Sequence, residues 1–356
     1  MTEHIPSNSL SLRERVAVGR VRGVHPPKPC ERTGVHPPKP RRQRTLIAFA
    51  ITLSALSALP SPLSATTLFI TNEREGTVAA IDTQTAKVTA KAHAGTRVRG
   101  IVFDGKRLYV AVSHFKGQLQ HDPDGVVAID PKTLQIVRRY ECGRDPEGIA
   151  LTPDHKHFVV SNEDAGTATI VDIASGKQTS VVTGTEPEGV AASPDGKWIY
   201  ITAETSSTVT VIDARKKQVV ANFFVSTRPR GALFSPDSTR AWVTSEIGGA
   251  IDIVDVPHHR VIGKIQLPKN DHPVGLVQRG NRLYVATGRG NSVAVIENDR
   301  LLKQIPVGSR PWWLAFAGGK LYVANGLSND ISIVENDRVI GTIKAGDGPW
   351  GVVSGR

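Results

Sequence analysis

Charged side chains recur beside proline and glycine in one short motif along the chain. Arg99, Glu147, Glu188 and Arg230 occupy equivalent positions in four successive copies of it. Brought together, these groups could hold a small polar ligand, dock a charged loop of a partner, or bridge neighbouring parts of the fold by ion pairs. Which of these applies depends on the elements that position the motif.

The motif returns seven times at nearly even intervals. Proline pre-sets one backbone angle and glycine permits positive φ, so each copy predicts a tight, rigid turn. The copies are Arg97-Val98-Arg99-Gly100, Asp145-Pro146-Glu147-Gly148, Glu186-Pro187-Glu188-Gly189, Arg228-Pro229-Arg230-Gly231, His272-Pro273-Val274-Gly275, Arg310-Pro311-Trp312-Trp313 and Gly348-Pro349-Trp350-Gly351.

Four short runs rich in β-branched and aromatic residues separate successive turns, which is typical of strands. Repeats of about 40 residues built of four strands predict an all-β, seven-bladed β-propeller with four-stranded blades. The first blade begins at Leu68 with its second strand, and the chain ends with a first strand, Gly351 to Ser354. We therefore expect the C-terminal strand to join the N-terminal three and close the ring.

The chain divides into three segments by composition. Residues 1–40 lack apolar periodicity and predict a disordered or non-native extension, with translation starting near Val35. Residues 41–65 combine arginines, an apolar run and small residues, which indicates a signal peptide cleaved near Ala65. Residues 66–356 form the propeller. We expect a periplasmic protein with no transmembrane span after cleavage.

The net charge of +11 belongs mostly to the N-terminal segment. Residues 1–65 hold ten Lys or Arg and three Asp or Glu, which leaves about +4 for the remainder. The exported part is therefore nearly balanced, and this disfavours a nucleic-acid partner. Cys30 and Cys142 are too few for a disulfide framework, and Cys142 reads as a small buried hydrophobe.

The second-strand series, together with Ser193-Pro-Asp-Gly196 and Arg228-Pro-Arg-Gly231, resembles the YVTN-type β-propeller repeat proteins of bacteria. Four further segments resemble the subfamily associated with PQQ-dependent catabolism: Glu186-Pro-Glu-Gly189, Ser245-Glu-Ile-Gly-Gly249, Asn325-Gly-Leu-Ser-Asn-Asp330 and Pro349-Trp-Gly351. This resemblance implies a role beside a quinoprotein oxidation system, with a quinoprotein dehydrogenase or cytochrome as partner. No Cys-x-x-Cys-His motif or adjacent cysteine pair is present, so we expect no cofactor in this chain and assign PQQ to the partner.

In such a propeller, the turns before first strands and after second strands open on one face. Arg99, Glu147, Glu188 and Arg230 should ring the channel mouth there with alternating sign, in exposed pairs worth about 0–1 kcal/mol each. The tryptophans either anchor a partner or pack the closing seam. The remaining candidate residues of this face are Glu163, Glu204, Glu246, Arg228, His272, Arg310, Trp312, Trp313 and Trp350.

A long loop on the same face carries weak candidates for a metal site, His114, His121, Asp122 and Asp124. Imidazole and carboxylate groups are metal ligands, but this spacing matches no established motif, and a solvated loop is the simpler interpretation.

Three functions remain open. The first is a non-enzymatic binding protein that uses the charged and aromatic face for a protein partner or small ligand. The second is a lactonase-like hydrolase, because some propellers that this chain resembles act on lactones; Glu147, Glu188 or Glu204 would then be its acid and base. The third is binding of nucleic acid or an envelope polymer through exposed arginines, which the balanced charge disfavours.

Overall fold

The structure, a computed structural model, describes residues 66–117 and 123–355. Within these ranges the chain forms 28 β-strands and no helix. Accordingly, no helix in the described ranges has the length and apolar character needed to cross a membrane. The predicted extension and signal peptide, residues 1–40 and 41–65, lie outside the described residues.

The strands, in chain order, are β1 (Thr67–Asn72), β2 (Thr77–Asp82), β3 (Lys87–His93), β4 (Arg97–Phe103), β5 (Leu108–Ser113), β6 (Gly125–Ile129), β7 (Ile136–Tyr140), β8 (Pro146–Leu151), β9 (His157–Asn162), β10 (Thr167–Asp172), β11 (Gln178–Val182), β12 (Pro187–Ala192), β13 (Trp198–Ala203), β14 (Thr208–Asp213), β15 (Gln218–Phe224), β16 (Pro229–Phe234), β17 (Arg240–Ser245), β18 (Ala250–Asp255), β19 (Arg260–Gln266), β20 (Pro273–Arg279), β21 (Arg282–Thr287), β22 (Ser292–Glu297), β23 (Arg300–Pro306), β24 (Pro311–Ala317), β25 (Lys320–Asn325), β26 (Asp330–Glu335), β27 (Arg338–Lys344) and β28 (Pro349–Ser354).

These strands form seven antiparallel sheets of four, which confirms the predicted seven-bladed propeller. Six sheets follow chain order, from β4–β7 to β24–β27, and the seventh has the order β28-β1-β2-β3. In that sheet Phe69 pairs with Val353 and Ile70 with Val352. The C-terminal strand therefore closes the ring as expected, and no blade has an open seam at its inner strands.

The hydrophobic core lies between neighbouring blades. One buried cluster joins Phe69 and Val78 of the first blade to Leu108 and Val127 of the second, and similar clusters recur around the ring. Second and third strands are sandwiched between blades on both faces, so nearly all their residues are buried. The outer strands, such as β15, alternate between half-buried and exposed residues because only one edge is covered.

The glycine of the repeated turn has a different role from the one that the sequence suggested. Positive φ falls instead on the residue before proline, for example 55° at Glu186 and 60° at Arg228. The glycine allows the innermost strands of adjacent blades to touch. A Cβ on Gly189 would lie 1.9 Å from the carbonyl oxygen of Arg230, and one on Gly148 would lie 2.2 Å from that of Glu188.

A side-chain hydroxyl bridges this close approach in four blades. Thr202 Oγ1 accepts a hydrogen bond from the N–H of Gly189 at 2.8 Å and donates to the carbonyl of Arg230 in the next blade at 2.8 Å. Thr71, Ser161 and Thr244 make the same two bonds in their own blades. The bridges fix the spacing of the innermost strands, which carry the candidate site residues.

Candidate binding site at the channel mouth

Two chain segments of each blade meet at the channel mouth. The residue that follows the second strand donates its backbone N–H to the carbonyl of the residue before the turn proline. Examples are Glu163 to Asp145 at 2.8 Å, and Glu246 to Arg228 at 2.8 Å. Each bond joins the end of a second strand to the start of a first strand. Side chains from both segments therefore converge on one face, as the sequence predicted.

Seven side chains surround the channel, one from the third position of each turn: Arg99, Glu147, Glu188, Arg230, Val274, Trp312 and Trp350. The first four come together as expected, but their order is Arg-Glu-Glu-Arg, so the predicted alternation of sign is wrong. One half of the ring is charged and the other half is apolar and aromatic. This asymmetry distinguishes two sides of the mouth.

Arg97 and Arg99 organise the first charged group. Arg97 lies 3.1 Å from Glu73, 2.7 Å from Asp145 and 2.9 Å from Glu147. Arg99 contacts the same two glutamates, with Glu73 at 2.7 Å, and lies 3.8 Å from Glu188 of the next blade but one. Two guanidinium groups of the second blade therefore link carboxylates from three other blades.

Arg230 organises the second charged group. It forms ion pairs with Glu188 and Glu204, and its Nε donates to Glu246 Oε2 at 2.8 Å. Arg228 adds a contact of 2.7 Å to Glu204, and Arg310 donates to Glu246 at 2.8 Å. His272 Nδ1 lies 3.7 Å from Glu246 Oε1. We call Arg97, Arg99, Arg228, Arg230 and Arg310 the mouth arginines, and Glu73, Asp145, Glu147, Glu163, Glu188, Glu204 and Glu246 the mouth carboxyls.

The network is buried, which corrects the expectation of exposed, weak pairs. The side chain of Glu147 is fully buried, and those of Glu188 and Arg230 are 7% and 9% exposed. The reason is geometric: neighbouring turns approach closely and cover one another's charges. Removing one partner of a buried pair leaves an uncompensated charge, so loss of Arg97, Arg99 or Arg230 should cost far more than loss of a surface pair.

Two pairs of carboxyl groups interact directly: Glu147 with Glu163, whose oxygens lie within 4.8 Å of each other, and Glu188 with Glu204. Burial and the charge of Glu188 raise the pKa of Glu204 to about 9. Although burial opposes ionisation, Arg230 and Arg99 lower the pKa of Glu188 to about 2. Burial also raises the pKa of Glu147 and Glu163. The Glu188–Glu204 pair therefore holds one proton at neutral pH.

The tryptophans line the other half of the mouth. Trp350 is 6% exposed and stacks on Trp313 at 5.7 Å and on Trp312 at 6.3 Å between ring centroids. Arg310 lies over the Trp312 ring at 4.2 Å, and Arg99 lies over Trp350 at 5.6 Å. The stack spans β24 and β28, so it packs the blade beside the ring closure, while half-buried Trp312 reaches the mouth.

Two cavities follow the channel axis. The upper one, of about 350 Å³, is bounded by mouth carboxyls and mouth arginines together with Phe115 and Lys116. The lower one, of about 90 Å³, is lined by the three tryptophans and aliphatic residues of the innermost strands. Glu188 and Arg230 line both cavities. Their ion pair therefore forms the wall between a charged entrance and an apolar interior.

Exposed apolar side chains surround this face. Ile247 and Leu327 follow second strands and are 53% and 65% exposed, while Val182 and Phe224 end outer strands and are 77% and 80% exposed. We call these four residues the mouth rim. Exposed apolar patches of this kind often mark protein interaction sites.

The candidate metal residues separate into two groups. His121 and Asp122 lie outside the described residues. His114 Nδ1 lies 2.8 Å from Asp124 Oδ1, and Asp124 Oδ2 accepts the backbone N–H of Asp145. This pair therefore anchors the loop to a mouth turn.

Sequence reasoning did not single out Asp145 and Phe115. Asp145 stands at the first position of its turn, like Arg97 and Arg228, so an alignment of the seven turns could have identified it. Ligand atoms of Asp145, Glu147 and Glu163 lie within 4.8 Å of one another, which is close enough for a shared metal ion. The guanidinium of Arg97 already neutralises two of these three groups.

Cys142 is buried, as the sequence suggested. It is 1% exposed, and burial raises the pKa of its thiol to about 12. The thiol is therefore protonated and unreactive at neutral pH.

Comparison with known proteins supports the fold. Residues 111–208 match the YNCE-like beta-propeller family model. No curated protein matches the chain. The hydrazine synthase of Kuenenia stuttgartiensis is 22% identical, with a TM-score of 0.67 over 76% of this chain and 92% of that one. A provisionally assigned 6-phosphogluconolactonase of Bacteroides fragilis is 18% identical, with a TM-score of 0.68 over 83% and 99%.

A protein of unknown function from Desulfotomaculum acetoxidans is 16% identical, with a TM-score of 0.70 over 82% of this chain and 99% of that one. At these identities the likeness to solved structures concerns the fold alone. The chain is therefore a seven-bladed β-propeller that resembles the YNCE-like group over residues 111–208.

Proposed function

We propose that this protein is a non-enzymatic binding protein that docks a protein partner on the mouth face. The main observation in support is that every mouth arginine is already paired with a mouth carboxyl. Such a network is rigid and pre-organised, and its guanidinium groups are occupied. A surface of this kind suits recognition, because little side-chain entropy is lost when a partner binds.

The same pairing argues against an anionic ligand at this site. A phosphate or carboxylate would have to displace carboxylates from Arg97, Arg99 or Arg230, which are 13% exposed or less at their side chains. Each displaced glutamate would remain as a buried, unpaired charge. Nucleic acid, acidic envelope polymers and phosphorylated substrates are therefore poor candidates for the mouth.

We further propose that the partner belongs to a periplasmic quinoprotein oxidation system, as a dehydrogenase or cytochrome. The support is the resemblance of four segments to the PQQ-associated subfamily, together with the signal-like residues 41–65. All four segments contribute to the mouth face, where Glu188, Glu246, Leu327 and Trp350 lie. A shared binding surface would explain why the likeness is concentrated there.

Affinity capture from periplasmic extract tests this function. The bait is the purified protein, compared with an Ile247→Asp/Leu327→Asp variant of the mouth rim. Val220→Asp/Ile262→Asp serves as the matched control, because these residues are 47% and 54% exposed on outer strands away from the mouth. The buried network is left intact in both variants, so the fold should persist.

A partner retained by the wild type and by the control, but lost by the rim variant, is the expected result. Retention of a quinoprotein dehydrogenase or cytochrome would support the finer proposal, and retention of another class of protein would reject it. Equal retention by all three proteins would reject the mouth face as the docking surface. Export itself is tested by N-terminal sequencing of the periplasmic protein, which should begin near Thr66.

A hydrolase remains the second candidate because of the Glu188–Glu204 pair. Adjacent carboxyl groups with pKa values of about 2 and about 9 could act as base and acid. However, Glu188 is a weak base at that pKa and is held by two arginines. We expect no lactone hydrolysis above background. Turnover that is lost in Glu204→Gln and is sensitive to chelator would favour the hydrolase instead.

A further inference from the structure

The charges of the mouth do not balance. The structure brings seven mouth carboxyls against five mouth arginines. Lys116 lies at the edge of the cavity but is 72% exposed and pairs with Asp164 at 3.5 Å, so this pair adds no net charge. The nearby imidazoles, His114 and His272, face Asp124 and Glu246 respectively. The mouth carboxyls therefore outnumber the mouth arginines by two.

This surplus coincides with the two carboxyl pairs. In the first pair Glu147 contacts Arg97 and Arg99, whereas no arginine of the described residues forms an ion pair with Glu163. In the second pair both Glu188 and Glu204 contact Arg230, and Glu204 also contacts Arg228. A shared proton relieves the repulsion between two adjacent carboxylates, and the raised pKa of Glu204, about 9, places such a proton on that group. One member of each pair, Glu163 in the first and Glu204 in the second, lines the upper cavity.

A group of charge +1 that entered the cavity could take the place of one proton. Its N–H groups would find carboxylate acceptors, whereas an anion would find guanidinium groups that are already occupied. Phe115 adds an aromatic wall of the kind that attracts cations, and it already lies 5.7 Å from Arg97. The apolar mouth rim would then contact residues on either side of the inserted group.

We propose that the mouth accepts a basic side chain, lysine or arginine, from an apolar segment of the docked partner. This inference rests on the proposed docking function and names the chemistry of the partner. Charge complementarity and the exposed rim are the observations that select a basic, apolar segment.

Isothermal titration calorimetry at pH 7.5 tests the inference with defined probes. The peptide acetyl-Ala-Leu-Lys-Leu-Ala-amide is compared with matched peptides that carry Gln or Glu in place of Lys, and with n-butylammonium. Titrations are run in phosphate and in Tris, two buffers that differ in ionisation enthalpy. The difference in the observed binding enthalpy between them gives the number of protons released. The variant Glu163→Gln/Glu204→Gln is the matched control: glutamine imitates the protonated carboxyl but cannot ionise, so the fold should be kept.

We expect the Lys peptide to bind at least tenfold more tightly than the Gln peptide, with proton release, and the Glu peptide not to bind. In the double variant, proton release should vanish and the preference for Lys should fall below threefold. A Lys preference that persists unchanged in this variant would overturn the inference, as would equal binding of the Glu peptide.

Two further outcomes separate the possibilities. Binding of n-butylammonium as tight as that of the Lys peptide would overturn the assignment to a partner side chain in favour of a small amine. Failure of every probe, while capture of a partner still depends on the mouth rim, would overturn this inference and leave the docking function standing. Capture that is independent of the rim would reject the docking function itself.

Discussion

Arg230 connects three carboxylates of the mouth, and its environment shows why single residues matter here. It is 9% exposed at its side chain and contacts Glu188, Glu204 and Glu246. Glu188 and Glu204 in turn have pKa values that burial and their neighbours move in opposite directions. The buried charges of the network stabilise one another, and removing any one of them leaves its partners uncompensated.

Replacing Arg230 by methionine should therefore destabilise the fold strongly. The variant leaves three acids facing one another with their main cation removed, and we expect the free energy of unfolding to fall by about 3–5 kcal/mol. Urea denaturation at pH 7.5 measures it, with the exposed Arg215→Met as control, expected within about 0.5 kcal/mol of wild type. Adding Glu188→Gln to Arg230→Met should recover part of the loss. Equal stability of Arg230→Met and wild type would contradict a buried network.

Glu204 predicts a pH dependence of stability. Its pKa is about 9 in the folded protein against 4.5 in an ordinary glutamate. The stability linked to its raised pKa is fully present below pH 4.5, and it is lost as the pH rises from there toward 9. Thermal unfolding between pH 5 and 9.5 should show wild-type stability falling with pH, and Glu204→Gln should show a shallower slope. Parallel curves for the two proteins would refute the raised pKa.

The innermost strands determine where these residues stand, and glycine sets how closely the strands approach. The sequence predicted the turns and the strands correctly, because alternation and turn composition are local properties. It could not predict that glycine serves contact rather than positive φ, since the contact involves a carbonyl 41 residues away in the next blade, as between Gly189 and Arg230. For the same reason, the burial of Glu147 and the pairing of Glu188 with Glu204 were not predictable.

Gly189→Ala tests the role of this close approach. The added Cβ would lie 1.9 Å from the Arg230 carbonyl oxygen, so β12 and β16 must separate and the Thr202 bridge must lengthen. We expect a loss of about 3 kcal/mol in the free energy of unfolding. Gly263→Ala on the outer strand β19 is the control, because its nearest contact is an ordinary 3.4 Å. If the two substitutions proved equally mild, close blade packing would not constrain this position.

At the scale of the whole molecule, the ring is closed by its last strand. β28 pairs with β1, and the N–H of Gly355 donates to the carbonyl of Thr67 at 2.7 Å. Trp350 is buried at this junction and stacks on Trp313 of the preceding blade. Sequence reasoning predicted this closure from the order of strands alone, because a blade that lacks its first strand must obtain one from elsewhere.

Removing residues 350–356 should abolish cooperative unfolding, since the first blade would lose its innermost strand and the channel would lose Trp350. Circular dichroism during thermal unfolding measures this effect. A circular permutant is the control: it joins Gly355 to Thr67 through a short linker and opens the chain at Gly280, where a turn separates β20 from β21. The permutant should unfold cooperatively, whereas a truncated protein that did so would contradict a closure that depends on β28.

Docking of a partner on the mouth face is tested by the dissociation constant of the captured partner. It should be measured for the wild type, the rim variant Ile247→Asp/Leu327→Asp and the control Val220→Asp/Ile262→Asp. If the mouth face is the docking surface, the rim variant should bind at least about 30-fold more weakly, the loss expected from removing interface hot spots. The control should stay within about twofold of wild type. If the affinity fell equally in both variants, or in neither, the mouth face would not be the docking surface.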